Sequence, residues 1–375
     1  MVGATPEWML ANGYTQVGAD FPVFLKDGEE YALARTERKT GAGYHGFEAD
    51  SNPEITMEQD LSRRDLTVNS MAVELKYWNE FLLLCEKYRT SLEQDFLDEY
   101  VHNFTDHIFK KVVMMNGGAF KEDPVRVFRA VRMRHTLPEG EGCQFVADEW
   151  DYGARTWKAM EEMVASDDFK GLTPERVAQE VLKAASKCKS ISQFAGFLTD
   201  LMLLGAIPSV MDGKFCMHEM DNEPVFHRGL TDKEAVAYMM LCMPDDYKVL
   251  QKRFKDRRYS NDAVNFGCAV HVIHKMFGVE GTSQMSGENL MQCMSMVNQN
   301  ELSGALEFLS LTQEISVQNA LYICKARMAV ECIGLDDLTE EQQKTLTGRD
   351  IGAAIRAKRV DVLDHIICER SQKTA

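Results

Sequence analysis

The chain has 375 residues, too many for one ordinary hydrophobic core, so two or three domains are expected. It is 45% hydrophobic and 27% charged, and no run of eighteen apolar residues occurs, which argues against a transmembrane helix. A formal net charge of −16 argues against non-specific binding to nucleic acid, while leaving room for a local basic groove.

The start, Met1-Val2-Gly3-Ala4-Thr5-Pro6, has neither the basic region nor the apolar stretch of a signal peptide. Ten cysteines run from Cys85 to Cys368 without a C-x-x-C pair. That reads as reduced thiols in a cytoplasmic protein, neither a disulfide framework nor a zinc site. Residues 1–75 read as α/β. Thr5 caps a helix with Pro6 at its first position, running to about Asn12. Phe21–Lys26 alternates as a strand, Asp27-Gly28 is a tight-hairpin signal, and Glu29–Arg35 returns. Gly41-Ala42-Gly43-Tyr44 reads as a flexible loop. Arg63-Arg64-Asp65-Leu66-Thr67-Val68-Asn69 then sets polar groups in an otherwise apolar stretch, which taken alone fits a capped helix start.

Tyr77–Met115 has a helical pattern, with Phe81-Leu82-Leu83-Leu84, Phe96-Leu97 and Ile108-Phe109 at mixed helical spacings. Gly117-Gly118 supplies a hinge-like turn or a plain loop. Asp123 is a good N-cap, and Pro124 fits the first helical position because its missing N–H costs nothing there. Arg126, Arg129 and Arg132 follow at steps of three and share one broad helix face. Val125, Phe128 and Val131 run beside them and can anchor the helix in a core. From these residues alone two readings stay open. One is a solvated arginine face. In the other, Asp123 and Arg126 offer an acceptor pair and a donor fork to the polar edge of a nucleobase, and Arg129 and Arg132 hold a triphosphate.

From Asp123 onward the chain reads almost wholly helical. Trp150–Val164 is one helix, Thr173 and Pro174 open the next to about Cys188, and Ile191–Leu204 is stopped by Gly205. Further helices are expected near Thr231–Cys242, Ala263–Phe277, Gly287–Asn298, Glu301–Leu309, Glu314–Ile333, Glu340–Thr345 and Arg349–Arg356. Basic patches stand at Arg126–Arg134, Lys252–Arg258 and Arg356–Arg359, each of which also fits a solvated face.

Arg63–Asn69 and Glu122–Arg129, in this order, resemble the RRD-x-T-x-N and ED-x-x-R-x-x-R motifs of class II tRNA nucleotidyltransferases, the bacterial CCA-adding enzymes, with poly(A) polymerases as close relatives. Val17–Leu25, Tyr31–Lys39 and Gly171–Val177 are similar to the same family. The resemblance covers residues 1–75 and 115–212 well, and residues 75–115 and much of 213–375 poorly. It implies an α+β fold: a nucleotidyltransferase head at 1–135 with a divergent insertion at 75–115, a helical neck at 136–212, and a helical body and tail at 213–375. It also implies tRNA, CTP and ATP as partners and Mg²⁺ as cofactor. Together with the reading of the arginine face above, it gives Arg64, Asp123, Arg126, Arg129 and Arg132 as the nucleotide-binding residues.

The family's Gly-Gly-x-x-x-Arg-Asp segment and the Asp-x-Asp pair that holds Mg²⁺ find no match, since the chain begins after them and no other Asp-x-Asp occurs in the first 75 residues. Glu37 is one carboxylate and not a pair. The expectation is therefore a truncated head that has no catalytic or metal-ligating residue of its own and is inactive alone, with a separate chain as one source of the missing segment. A tRNA-binding module without catalysis and a poly(A) polymerase are the rival readings. Met243-Pro244 stands where some relatives carry the His-Asp pair of a phosphohydrolase, and His218 and His227 are isolated, so no hydrolase site is expected.

Overall fold

The computed structural model describes residues 1–18, 23–39, 41, 47–87, 101–103, 105, 107–108, 110–138, 150–215, 228–277, 286–296, 299–312 and 314–374. The chain divides into two compact units, Met1–Glu180 with Asp200–Ser209, and Val181–Thr199 with Val210–Ala375. The first is mixed α and β, and the second is helical.

The first unit opens with the helix Pro6–Ala11. The Thr5 hydroxyl accepts the Trp8 N–H at 3.2 Å, satisfying one of the donors that a helix start leaves unpaired. Strands β1 (Thr15–Val17), β2 (Val23–Lys26) and β3 (Glu29–Ala32) form an antiparallel sheet in that order. Lys26 pairs with Glu29 across the turn, and Asp27 and Gly28 both adopt positive φ (54° and 84°), the twist a two-residue hairpin needs. Met9, Phe24 and Leu33 form a small core under this sheet. Met1 lies against the far edge: its N–H donates to the Ala32 carbonyl, and its carbonyl accepts from Ala34 N–H at 2.8 Å. Strands β4 (Thr36–Lys39) and β5 (Phe47–Asp50) then pair antiparallel. The loop expected at 41–44 lies outside the described residues apart from Gly41.

The insertion departs from the expected helical pattern. A helix does occupy Trp78–Lys87, but Val101–His102 is a strand (β7) paired with Ala72–Val73 (β6). Val112–Val113 (β8) pairs parallel with Asp151–Tyr152 (β9). β-branched residues at 101, 112 and 113 favour the pleat, and positive φ at Asn103 and Lys111 (55° and 46°) breaks any helix there. Phe96-Leu97 and Phe109 lie outside the described residues.

The helix expected from Trp150 begins instead at Ala154 and ends at Val164. Strand β9 takes up Asp151 and Tyr152, and Gly153 marks the junction. A Cβ on Gly153 would stand 2.3 Å from Met114 Cε, so a side chain there would collide with the β8 side of the pairing. The helices Pro174–Lys187 and Ile191–Leu203 match expectation, the latter closed by Gly205, from which the Ala206 N–H turns back to the Leu201 carbonyl at 2.8 Å.

In the second unit, Asp232–Leu241 opens on a reciprocal capping box between Thr231 and Glu234. It packs with Asn261–Phe277 over a core that includes Phe194, Phe197, Tyr238, Phe254 and Phe308. Tyr247–Asp256 is a helix containing most of the basic patch Lys252–Arg258; Asp246 caps it, and Leu250 and Phe254 bury one turn apart. Glu301–Leu309 and Glu314–Ile333 become Gln299–Leu311 and Val317–Glu331. The last helix runs Arg349–Thr374, far beyond Arg356, because no proline interrupts it and Leu363 and Ile367 bury its later turns.

Candidate nucleotide site

The two motifs are brought together within the first unit. Arg63 and Arg64 follow the helix Met57–Ser62, itself opened by a Thr56–Gln59 capping box. Asp60, buried on that helix, accepts Arg63 Nη2 at 2.6 Å, Arg64 Nη2 at 2.9 Å and the Arg35 N–H at 3.1 Å. Burial alone would raise the Asp60 pKa, but hydrogen bonds from Arg63 and Arg64 outweigh it and hold the carboxyl below its ordinary value. Arg64 also donates through Nη1 to the Asn69 carbonyl at 3.0 Å.

Asp65 is the hinge between the motifs. Its Oδ2 takes Arg129 Nε at 2.6 Å, and its Oδ1 accepts from the Leu66 N–H at 2.9 Å and from Asn69 Nδ2 at 3.3 Å. Burial pushes its pKa up and the Arg129 guanidinium pulls it further down, so the net shift is downward. Asn116 braces the same turn. It donates its N–H to the Asp65 carbonyl at 2.9 Å, and its side chain to Leu61 O at 2.7 Å and Ser70 Oγ at 2.8 Å.

The arginine helix spans Arg126–Thr136, two residues later than expected. Asp123 still behaves as a cap, since its Oδ1 accepts the Val125 N–H at 3.2 Å, but Pro124 and Val125 form a turn before the regular helix begins. Gly117 precedes this entry with φ 63° and ψ −152°, a conformation reserved almost wholly for glycine, and of the two readings left open there the chain takes a turn. Val125, Phe128 and Val131 are buried as anchors, with Phe128 stacked on Phe169 at 5.6 Å.

The five assigned residues have different surroundings. Arg64 and Arg129 are partly exposed, at 39% and 36% of their side chains. Arg129 is fixed by Nε alone, and among the described residues its Nη groups have no hydrogen-bond partner. Arg126 gives Nη1 to the Ala119 carbonyl at 2.6 Å. Asp123 is gripped by Arg176 on the helix Pro174–Lys187, Nη1 to Oδ1 at 3.1 Å and Nη2 to Oδ2 at 2.7 Å. Arg132 differs from the rest: it is 6% exposed and paired through Nε with buried Glu180 at 2.9 Å. It lies in the packing between the helices Arg126–Thr136 and Pro174–Lys187. Arg176 and Glu180 were not singled out by sequence reasoning. Their spacing of four on a Thr-Pro-started helix puts both on one face, which was the available signal.

Behind the site, Asp200 Oδ2 gathers Arg134 Nη1 (2.8 Å), His135 Nε2 (2.8 Å) and the Tyr152 hydroxyl (2.7 Å). In the second unit Arg253 and Arg257 are tied to Asp245 and Asp212, and Arg356 to Glu288. His218 and His227 lie outside the described residues.

Glu37 and Asp60 are the carboxylates on which a magnesium ion beside Arg63 and Arg64 would depend. Glu37 Oε1 accepts from Arg35 Nε at 2.9 Å and Arg63 Nη1 at 2.8 Å, and Asp60, which shares Arg63 with it, is held by Arg63 and Arg64. Three guanidiniums surround two carboxylates, so these residues do not fit a divalent cation.

No family model matches the sequence. Over 373 residues, 97% of this chain and 91% of the relative, the chain is 30% identical to a CCA-adding enzyme of Pseudomonas putida (strain W619). The chain belongs to the CCA-adding enzyme family. A multifunctional CCA protein of Stenotrophomonas maltophilia (strain K279a) is 43% identical over 212 residues, 55% of this chain and 45% of that protein. Against curated relatives of that kind, this CCA-adding family member spans about half their length. The likeness in fold is shown by a solved CCA-adding enzyme in complex with CTP, with TM-score 0.54 and 16% identity, covering 100% of this chain and 85% of that one. The α/β head and helical body expected from the sequence are the architecture of this family.

Proposed function

We propose that this chain is a tRNA nucleotidyltransferase of the CCA-adding type, taking CTP and ATP as nucleotide substrates and the 3′ end of tRNA as acceptor. The observation that carries the reading is the Asp65–Arg129 pair at 2.6 Å, which joins the Arg63–Asn69 motif to the arginine helix across 64 residues of sequence. Asp123 and Arg126 meet the base edge, one as acceptor and the other as donor. Arg64, partly exposed and braced through Nη1 and Nη2, and Arg129, partly exposed and braced through Nε, hold phosphates and ribose. Arg132 contributes from behind by fixing the helix through Glu180. The division into head (1–135), neck (136–212), and body and tail (213–375) is part of this proposal, as is a cytoplasmic location.

The engagement of Glu37 by two guanidiniums favours a second statement. Two-metal activation of the attacking hydroxyl and the leaving pyrophosphate needs a carboxylate pair, and in this reading that pair comes from polypeptide other than these 375 residues. The test is equilibrium binding of CTP, ATP, UTP and GTP to the purified chain. CTP and ATP are expected to bind and to be preferred, and equal or absent binding of all four would sink the assignment. Incubating a tRNA lacking its CCA end with labelled CTP and ATP, in the presence of a polypeptide carrying the carboxylate pair, separates CCA addition from poly(A) addition by the product formed.

A further inference from the structure

Asp123 and Arg176 are 53 residues apart in sequence and meet through two parallel N–H···O bonds, at 3.1 Å and 2.7 Å. Both side chains are sheltered, with 16% of Asp123 and 22% of Arg176 exposed. A carboxylate offers about four lone-pair directions. Three are taken here: one on each oxygen by Arg176, and a second on Oδ1 by the Val125 N–H at 3.2 Å. Among the described residues one acceptor direction is left, on Oδ2. A carboxylate bonded in this way has no freedom to rotate and present a different edge.

We propose that Arg176 is a specificity-determining positioning residue, which locks Asp123 so that a single acceptor direction on Oδ2 faces an incoming nucleobase. This rests on the reading of Asp123 and Arg126 as the base-contacting pair. Cytosine and adenine carry an exocyclic amino donor where uracil and guanine carry a carbonyl acceptor. A fixed acceptor therefore accepts the first two and repels the second two. If the carboxylate could turn, an intervening water or a neighbouring guanidinium could serve the carbonyl bases, and the discrimination would fall. The guanidinium fork is essential to the lock, because a lysine ammonium is a point charge that holds one oxygen and leaves the other free.

The experiment measures dissociation constants of the 375-residue chain for CTP, ATP, UTP and GTP, in wild type, Arg176→Lys, Arg176→Met and Asp123→Asn. The readout is the ratio of UTP to CTP constants. A ratio does not change when a fraction of the sample is unfolded, so a variant that only weakens the fold leaves it unmoved. The expected result is a wild-type preference for CTP that falls roughly tenfold in Arg176→Lys and in Arg176→Met. In an Asp123→Asn background, Arg176→Lys should change the ratio less than about twofold, since the lock then has nothing to hold. A wild-type preference kept in full by Arg176→Lys and Arg176→Met overturns the inference and leaves the nucleotide site standing. A wild type that binds all four nucleotides alike, or none, overturns both.

Discussion

Arg132 and Glu180 face each other with 8% and 7% of their side chains exposed, so neither charge can regain its hydration while the helices stay packed. Removing the Glu180 carboxylate takes the ion-pair partner from the buried Arg132 guanidinium, at a cost of about 3–5 kcal/mol. Glu180→Gln is expected to lower the urea midpoint of the chain strongly, whereas Arg132→Met combined with Glu180→Leu should recover much of the loss. A double variant as unstable as the sum of its singles would argue against a buried pair. Protonation provides a second residue-scale check. Asp65 and Asp60 both have pKa values held below the ordinary carboxylate value in the folded state. A depressed folded pKa stabilises the fold above the unfolded value, about 3.9, and that stability is lost as pH falls through the folded value. Acid titration of stability should therefore show a loss beginning near pH 4 that is reduced in Asp65→Asn. His271 acts in a different window. Burial, aided by the Lys275 ammonium, pushes its pKa down to about 4 against the pull of the Asp245 and Met240 carbonyls. The unfolded chain takes up this proton first, so stability should decline as pH falls from about 6.5 to 4. His271→Gln should flatten that part of the profile, and an unchanged slope would count against a neutral buried imidazole.

At the scale of elements, the helix Tyr247–Asp256 is the one whose role a solution experiment can isolate. Leu250 and Phe254 bury one face, while Lys248, Lys252 and Lys255 are exposed at steps of four and three along another. Arg253 and Arg257 are already neutralised by Asp245 and Asp212, so the lysines carry the positive charge that this helix offers. If they contact tRNA phosphates, the affinity should drop with salt, and replacing all three by glutamine should reduce the slope of log K against log salt by about two. A slope that stays the same would place the RNA elsewhere. The arginine helix and the first hairpin were legible in the sequence because their signals are local: Asp123 and Pro124 before a run with buried Val125, Phe128 and Val131, and Asp27-Gly28 between alternating strands. The strands at 101–102 and 112–113 were not. Each is two residues long and is fixed by a partner outside its own segment, Ala72–Val73 and Asp151–Tyr152, so the apolar pattern around it looked helical.

The molecule as a whole carries a net charge of −16, so any hold on an RNA is confined to local groups rather than to a general positive field. The site itself is richly basic, yet its arginines are largely engaged by Asp60, Asp65, Asp123 and Glu180. On the reading proposed above, in which the carboxylate pair lies on other polypeptide, binding and catalysis separate. The purified chain is expected to bind CTP or ATP weakly and to add no nucleotide to a tRNA lacking its CCA end. Supplying a polypeptide with an Asp-x-Asp strand, fused or separate, should restore addition. Efficient addition by the chain alone would overturn this and make Glu37 the first residue to substitute.

The sequence by itself determined the two motifs, the caps and turns around them, the helical character of the second half and the family these residues resemble, because each depends on groups within a few residues of one another. The tertiary structure decided what the charged residues do. Asp65 meets Arg129, Asp123 meets Arg176 and Arg132 meets Glu180 across separations of 64, 53 and 48 residues. An ion pair of that kind is a property of how segments pack, and no spacing in the chain records it. The same packing buries Arg132 and leaves Arg129 half-exposed, although the two stand three residues apart on one helix with the same side chain.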